Sequence, residues 1–133
     1  MQTFLPYADF NSSVKVLDYR RLGKQRVEAF QILNSLRLQS KGWYNHPATK
    51  MWKNHEDALT QYMNCCILEW KNRGYKNTMK IIEINNKIVM PSWFGNENFH
   101  ASHRSNLLRK DSTYYSKFGW KESHDLPYVW PIT

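Results

Sequence analysis

The stretch "LDYRRLGKQRVEAFQIL", residues 17–33, reads as a helix whose side chains sort into two kinds. A helix advances about 100° per residue, so Arg20, Arg21, Lys24 and Glu28 fall within a sector of roughly 100°. Val27, Ala29, Phe30, Ile32, Leu33 and Leu36 take up most of the remaining circumference. The pattern predicts a largely buried helix with one charged strip left over. Such a strip is either solvated surface or the lining of a site.

Working outward toward the N-terminus, residues 1–8 ("MQTFLPYA") are apolar with Pro6, which predicts an extended, packed segment. Asp9, Asn11, Ser12 and Ser13 offer N-caps for a first helix expected to run to about Leu38, with Gly23 as a point where it loosens. The stretch "QSKGWYNH", residues 39–46, reads as a loop, and Pro47 suits the first turn of a second helix. Met51, Trp52, His55, Leu59, Tyr62, Met63, Cys66, Ile67 and Trp70 recur at helical spacing, and the run ends in "KNRGY", basic residues followed by Gly74. The piece "TMKIIEI" is amphipathic and rich in β-branched residues, so helix and strand both remain open. "PSWFGNEN" reads as a turn, a third helix spans about Glu97 to Lys110, and Asp111 can cap a short helix, "STYYSKF". The tail "DLPYVWPIT" is aromatic and punctuated by proline, which suits packing over the body. The expected fold is all-α: one domain over residues 1–133, with three main helices, short helices and an aromatic C-terminal tail.

Composition narrows the partners. The chain has 133 residues, enough for one core, and six Trp, eight Tyr and six Phe argue against disorder. A net charge of +8 and a pI near 9.6 point to a polyanion, nucleic acid first and an anionic membrane surface second. The two cysteines, Cys65 and Cys66, are neighbours on a helix and point about 100° apart, so neither a disulfide nor a cysteine zinc site is expected. No apolar run approaches the roughly 18 residues a membrane span needs, and no signal peptide opens the chain. These features predict a soluble, cytoplasmic protein without metal or cofactor. Gln2 is not small, so Met1 is expected to stay.

Three segments can carry chemistry. The Arg20, Arg21, Lys24 and Glu28 strip suits a phosphate clamp with one carboxylate as acid or base; its plain alternative is a solvated face with a Lys24–Glu28 pair. In "HASHRSNLLRK", His100 and His103 share a helix face with Arg104 beside them and Arg109 further on. His103, Arg104 and Arg109 suit contacts to phosphate or base, and structural hydrogen bonding is the alternative. His46, in a loop before Pro47, is a better catalytic candidate than His55 on its apolar stripe. No glycine-rich phosphate loop, serine nucleophile elbow or paired-carboxylate motif is present.

The chain also resembles the pyrimidine-dimer DNA glycosylase (endonuclease V-like) family. "DYRRLGK" is similar to the Tyr-Arg-Glu-Leu-Pro-Arg run on that family's first long helix, "LEWKNRGY" to a Leu-Lys-Arg-Gly-Phe helix end, and "STYYSKFG" to a C-terminal aromatic run. A narrower resemblance is to a subset of the family carrying "RLGKQRVE", "NHPA", "HASHRSNLLRK" and "DLPYVWP". The resemblance implies that a free α-amino group attacks the sugar C1′ of a damaged nucleotide, forming a Schiff base, while a glutamate moves protons. Carried onto this chain, the amine would be that of Met1, and the phosphate-site arginines fall on Arg20 and Lys24.

Two departures accompany it: Arg21 occupies the position of the family glutamate, and Gln2 stands where the family exposes a threonine amine. Glu28, about 10 Å further along the helix axis, is the candidate relocated carboxylate. The leading expectation is therefore an enzyme that cleaves the N-glycosidic bond of a damaged or modified base in DNA. A non-catalytic DNA- or RNA-binding module and an enzyme acting on a free nucleotide, with His46, His100 and His103 as its catalytic histidines, are the alternatives.

Overall fold

The computed structural model of the protein describes residues 2–38 and 43–131. Met1, whose retention the sequence predicts, lies outside the described residues, as do residues 39–42 of the expected loop and the last two residues of the tail. Among the described residues the structure is all-α, with six helices: α1 (Phe10–Lys15), α2 (Tyr19–Leu38), α3 (Pro47–Lys50), α4 (Glu56–Asn72), α5 (Glu97–Lys110) and α6 (Ser112–Tyr115). None is long and apolar enough to cross a membrane.

The first expected helix is in fact two. Asp9 caps α1 by accepting from the Ser12 N–H at 2.8 Å, but the chain turns after Val16. The Asp18 N–H is taken by the hydroxyl of Tyr115 at 3.0 Å, so it cannot continue the ladder of α1. The Asp18 carbonyl then accepts from Leu22 N–H at 2.9 Å and opens α2. The second expected helix is likewise divided. Asn54 adopts a left-handed φ of 68°, a conformation asparagine tolerates better than most residues, and breaks the run between α3 and α4. Glu56 and Asp57 in the first turn of α4 suit the positive end of the restarted helix.

Elsewhere local signals place the elements as expected. Helix α5 spans Glu97–Lys110, Asp111 caps α6 through the Tyr114 N–H at 3.1 Å, and Gly74 past the end of α4 takes a φ of 89°. The piece left open between helix and strand is neither. It runs irregularly past α4, where the side-chain amide of Asn64 donates to the Ile82 carbonyl at 2.7 Å and accepts from its N–H at 3.1 Å. A single asparagine thus pairs the backbone as a neighbouring strand would.

Helices α2 and α4 pack along each other around a core that includes Leu22, Ile32, Leu33, Leu59, Tyr62 and Ile67. Gly23 does not loosen α2; it makes room. A Cβ there would sit 3.1 Å from the ring of Trp70 on α4. The face of α2 left uncovered is wider than the charged strip, because Val27 and Phe30 are each 42% exposed. Both cysteines are free and buried.

Candidate functional site

Residues 2–7 thread between α2, α4, α5 and the C-terminal tail, and side chains rather than a sheet satisfy their backbone. Gln25 on α2 donates to the Gln2 carbonyl at 2.8 Å and accepts from the Phe4 N–H at 2.9 Å. The hydroxyl of Tyr62 on α4 lies 2.5 Å from Gln25 Oε1 and 3.0 Å from the Phe4 carbonyl, and it has one proton for the two. Tyr128 donates to the Thr3 carbonyl at 2.9 Å.

The "HASHR" segment completes this cradle. His100 Nε2 accepts from the Gly95 N–H at 3.0 Å, so its proton sits on Nδ1, which donates to the Leu5 carbonyl at 2.7 Å. His103 Nδ1 accepts from the Leu5 N–H at 2.8 Å, leaving its proton on a buried Nε2 that has no hydrogen-bond partner among the described residues. Arg104 donates to the Pro6 carbonyl at 2.7 Å, grips both carboxylate oxygens of Glu122 and reaches Glu97. Burial holds both histidines below their usual pKa, His103 well below. His103 is completely buried and Arg104 nearly so. Arg109 is spent on Asn106 Oδ1 at 2.7 Å and the His124 carbonyl at 2.9 Å. The structure therefore does not bring His103, Arg104 or Arg109 to the charged strip.

It does bring the strip and the His46 turn together. A cavity of about 1230 Å³ is lined by Arg20, Arg21, Lys24, Gln25 and Glu28 of α2, by Gln2 and Phe4, and by His46. Lys110, Asp111, Tyr114 and Trp130 line it as well. Helical spacing alone aims the four α2 charges into one sector, and Pro47 at the start of α3 sets His46 as that helix's N-cap. His46 Nδ1 accepts from the Ala48 N–H at 3.0 Å, which puts the neutral ring's proton on Nε2. Its ring meets Trp130 edge to face at 5.9 Å. Burial holds the His46 pKa below its usual value, with the Glu28 carboxylate pulling the other way.

Glu28 is held by hydrogen bonds. Its Oε2 accepts from Gln25 Nε2 at 3.2 Å and lies 3.5 Å from the Gln2 backbone nitrogen. Lys24, one turn below, forms no ion pair with it among the described residues. At the opposite end of the cavity Arg21 donates to Asp18 Oδ1 at 3.1 Å, and the Tyr115 hydroxyl donates to the same carboxylate. Burial works to raise the Asp18 pKa, but the Tyr115 hydroxyl and the Arg21 guanidinium outweigh it and hold the carboxyl below its usual range. Arg20 is exposed, with Nε 3.3 Å from the Tyr19 hydroxyl.

Sequence reasoning missed Asp18, Gln25, Lys110 and Trp130 as parts of this site. Asp18 and Gln25 were within the quoted stretch; Lys110 and Trp130 carried no signal tying them to it. Among the described residues no three His, Cys, Asp or Glu side chains gather in a way that would hold a metal ion. The arrangement offers cations for phosphate, a half-buried carboxylate, an imidazole and aromatic walls for a planar ring.

A family model described as pyrimidine dimer DNA glycosylase matches residues 1–83, the part of the chain that supplies the strip, Glu28 and His46. That match supports a DNA glycosylase-like function, and with it DNA as a partner. No curated protein and no solved structure matches the chain.

Proposed function

The chain belongs to the pyrimidine dimer DNA glycosylase family, and on that premise we propose that it binds DNA over the cavity lined by the charged strip and cleaves the N-glycosidic bond of a damaged or modified base there. The observation that carries this reading is the meeting of Arg20, Arg21, Lys24, Glu28 and His46 on one cavity beside the backbone of Gln2. Arg20, Arg21 and Lys24 bind phosphate, and Asp18 holds Arg21 in position. The nucleophile is the α-amino group of Met1, joined by one peptide unit to a Gln2 nitrogen that lies 3.5 Å from Glu28.

A terminal amine has a pKa near 8, so a useful fraction is neutral at pH 7, and neighbouring cations raise that fraction. In the proposed reaction this amine attacks the sugar C1′, and the bond from C1′ to the base nitrogen breaks with its electron pair leaving on the base. The Nε2–H of the neutral His46 ring hydrogen-bonds the leaving base, which takes its proton from water, and Glu28 takes the proton lost by the amine. The nitrogen lone pair then forms C1′=N as the C1′–O4′ bond breaks, O4′ takes the proton that Glu28 had accepted, and the resulting protonated Schiff base between protein and open-chain sugar is released by water. The two buried, free thiols fit an intracellular setting.

A second reading is a DNA-binding module that lacks chemistry, favoured by Arg21 at the position where the resemblance puts the family glutamate. The deciding experiment incubates the protein with ultraviolet-damaged, chemically modified and plain DNA in the presence of borohydride. Base release and a covalent adduct mapping to Met1 are expected on one of the altered substrates. Binding with neither adduct nor base release on any of them would overturn the enzyme reading in favour of the module.

A further inference from the structure

A second cavity, of about 410 Å³, shares a wall with the first. The wall can be read residue by residue. Tyr44 and Asn45 line the smaller cavity while the next residue, His46, lines the larger. In the tail, Pro131 lines the smaller and Trp130 the larger. The His46 and Trp130 rings meet edge to face, so these two chain segments come together where the cavities adjoin.

The chemistry of the smaller cavity resembles that of the larger. Lys50 and Lys53 line it, both exposed, and no carboxylate does. Trp93 supplies an aromatic surface held in place by its Nε1 donating to the Met51 carbonyl at 2.9 Å. Asn54 and Asn45 add amide groups, and Asn54 holds its left-handed φ of 68° at this rim. Cations, amides and aromatic faces around a volume of this size suit one nucleotide: a phosphate for the lysines and a planar base for the rings.

We propose that the smaller cavity is a second nucleotide subsite, taking a neighbour, on the same DNA strand, of the nucleotide held in the larger cavity. It builds on the DNA-binding reading above and adds that the ligand is a strand crossing the wall, not a free nucleotide. Phosphates on one strand recur about every 3.4 Å along a duplex, and a strand seated on Arg20 and Lys24 that crosses this wall brings a neighbouring nucleotide to the smaller cavity.

The test compares wild type with the Lys50→Ala/Lys53→Ala double variant, and with a Lys15→Ala/Lys71→Ala control whose exposed lysines line neither cavity. Affinity is measured for a short abasic-site duplex and for thymidine monophosphate across about 50 to 200 mM salt. In the Lys50/Lys53 variant the salt slope for the duplex should fall by about two, with monophosphate binding and the control unchanged. An unchanged slope, or an equal fall in the control, would overturn the second subsite while leaving the larger cavity's role intact. Salt-independent duplex binding by the wild type would overturn both.

Discussion

Residues 20–28 of α2 and residues 100–104 of α5 carry similar side chains on helices of similar regularity, and they meet opposite fates. On α2, Arg20 and Lys24 stay in water at the mouth of a large cavity. On α5, His100, His103 and Arg104 are closed over by the N-terminal segment and the tail, and every Arg104 contact is to a carboxylate or a backbone carbonyl. The basic groups of α5 stabilise the backbone of residues 5 and 6. On α2, Arg20 and Lys24 remain exposed, while Arg21 is paired with Asp18 and Arg26 donates to Asn77. Basic side chains serve the fold where they are desolvated and given protein partners, and stay in reach of solvent where nothing packs over them. The two regions are nonetheless coupled, because the backbone that α5 holds leads back to Gln2, beside Glu28.

The largest effect separating them should come from Arg104→Met. It strips the Pro6 carbonyl and Glu122 of their donor, and unfolding in urea should show a loss of about 3 kcal/mol. That is the low end for breaking a buried pair, because the Glu97 side chain remains exposed. A loss of DNA affinity with unchanged stability would mean that Arg104 belongs to the site after all. Next comes Glu28→Gln, which keeps the shape and the Gln25 contact but removes the charge. Turnover should fall by about 10²-fold while folding and DNA binding persist, and undiminished turnover would take Glu28 out of the reaction.

The third expectation concerns acid. His103 is buried neutral, so its folded pKa lies well below the ordinary 6.5. Between those two values the unfolded chain binds a proton that the folded chain refuses, and stability falls as pH drops below about 6.5. The slope should reach about 1.4 kcal/mol per pH unit for one such histidine, and His103→Gln should flatten the profile by that share. A profile unchanged by the substitution would show that His103 does not govern acid sensitivity. The smallest effect is that of Arg20→Ala, on an exposed side chain. DNA affinity should weaken several-fold and the salt slope should drop by about one, with the thermal midpoint unmoved. No change in either binding quantity would make the strip plain solvated surface.

Several parts of this molecule can be read locally. The bounds of α5 and the cap of α6 follow from periodicity and from the side chain of Asp111, all within a few residues. The grouping of Arg20, Arg21, Lys24 and Glu28 follows from helix geometry, which needs only their spacing. The break before α2 could not be read this way, because the hydroxyl that takes the Asp18 N–H belongs to Tyr115, 97 residues along the chain. The exposure of Val27 and Phe30 was equally hidden. Apolar spacing says which residues can face a core and does not say whether anything arrives to cover them.

By itself the sequence determined that the chain is helical and basic and that one face of α2 concentrates charge, since each depends on composition or on the repeat of a helix. Only the tertiary structure decided that Lys110 and Trp130 share a cavity with that face, that His46 closes its wall, and that His103 and Arg104 are buried beneath a segment nearly a hundred residues earlier. Burial depends on what packs on top, and a pattern of residues along one helix carries no record of its neighbours in space.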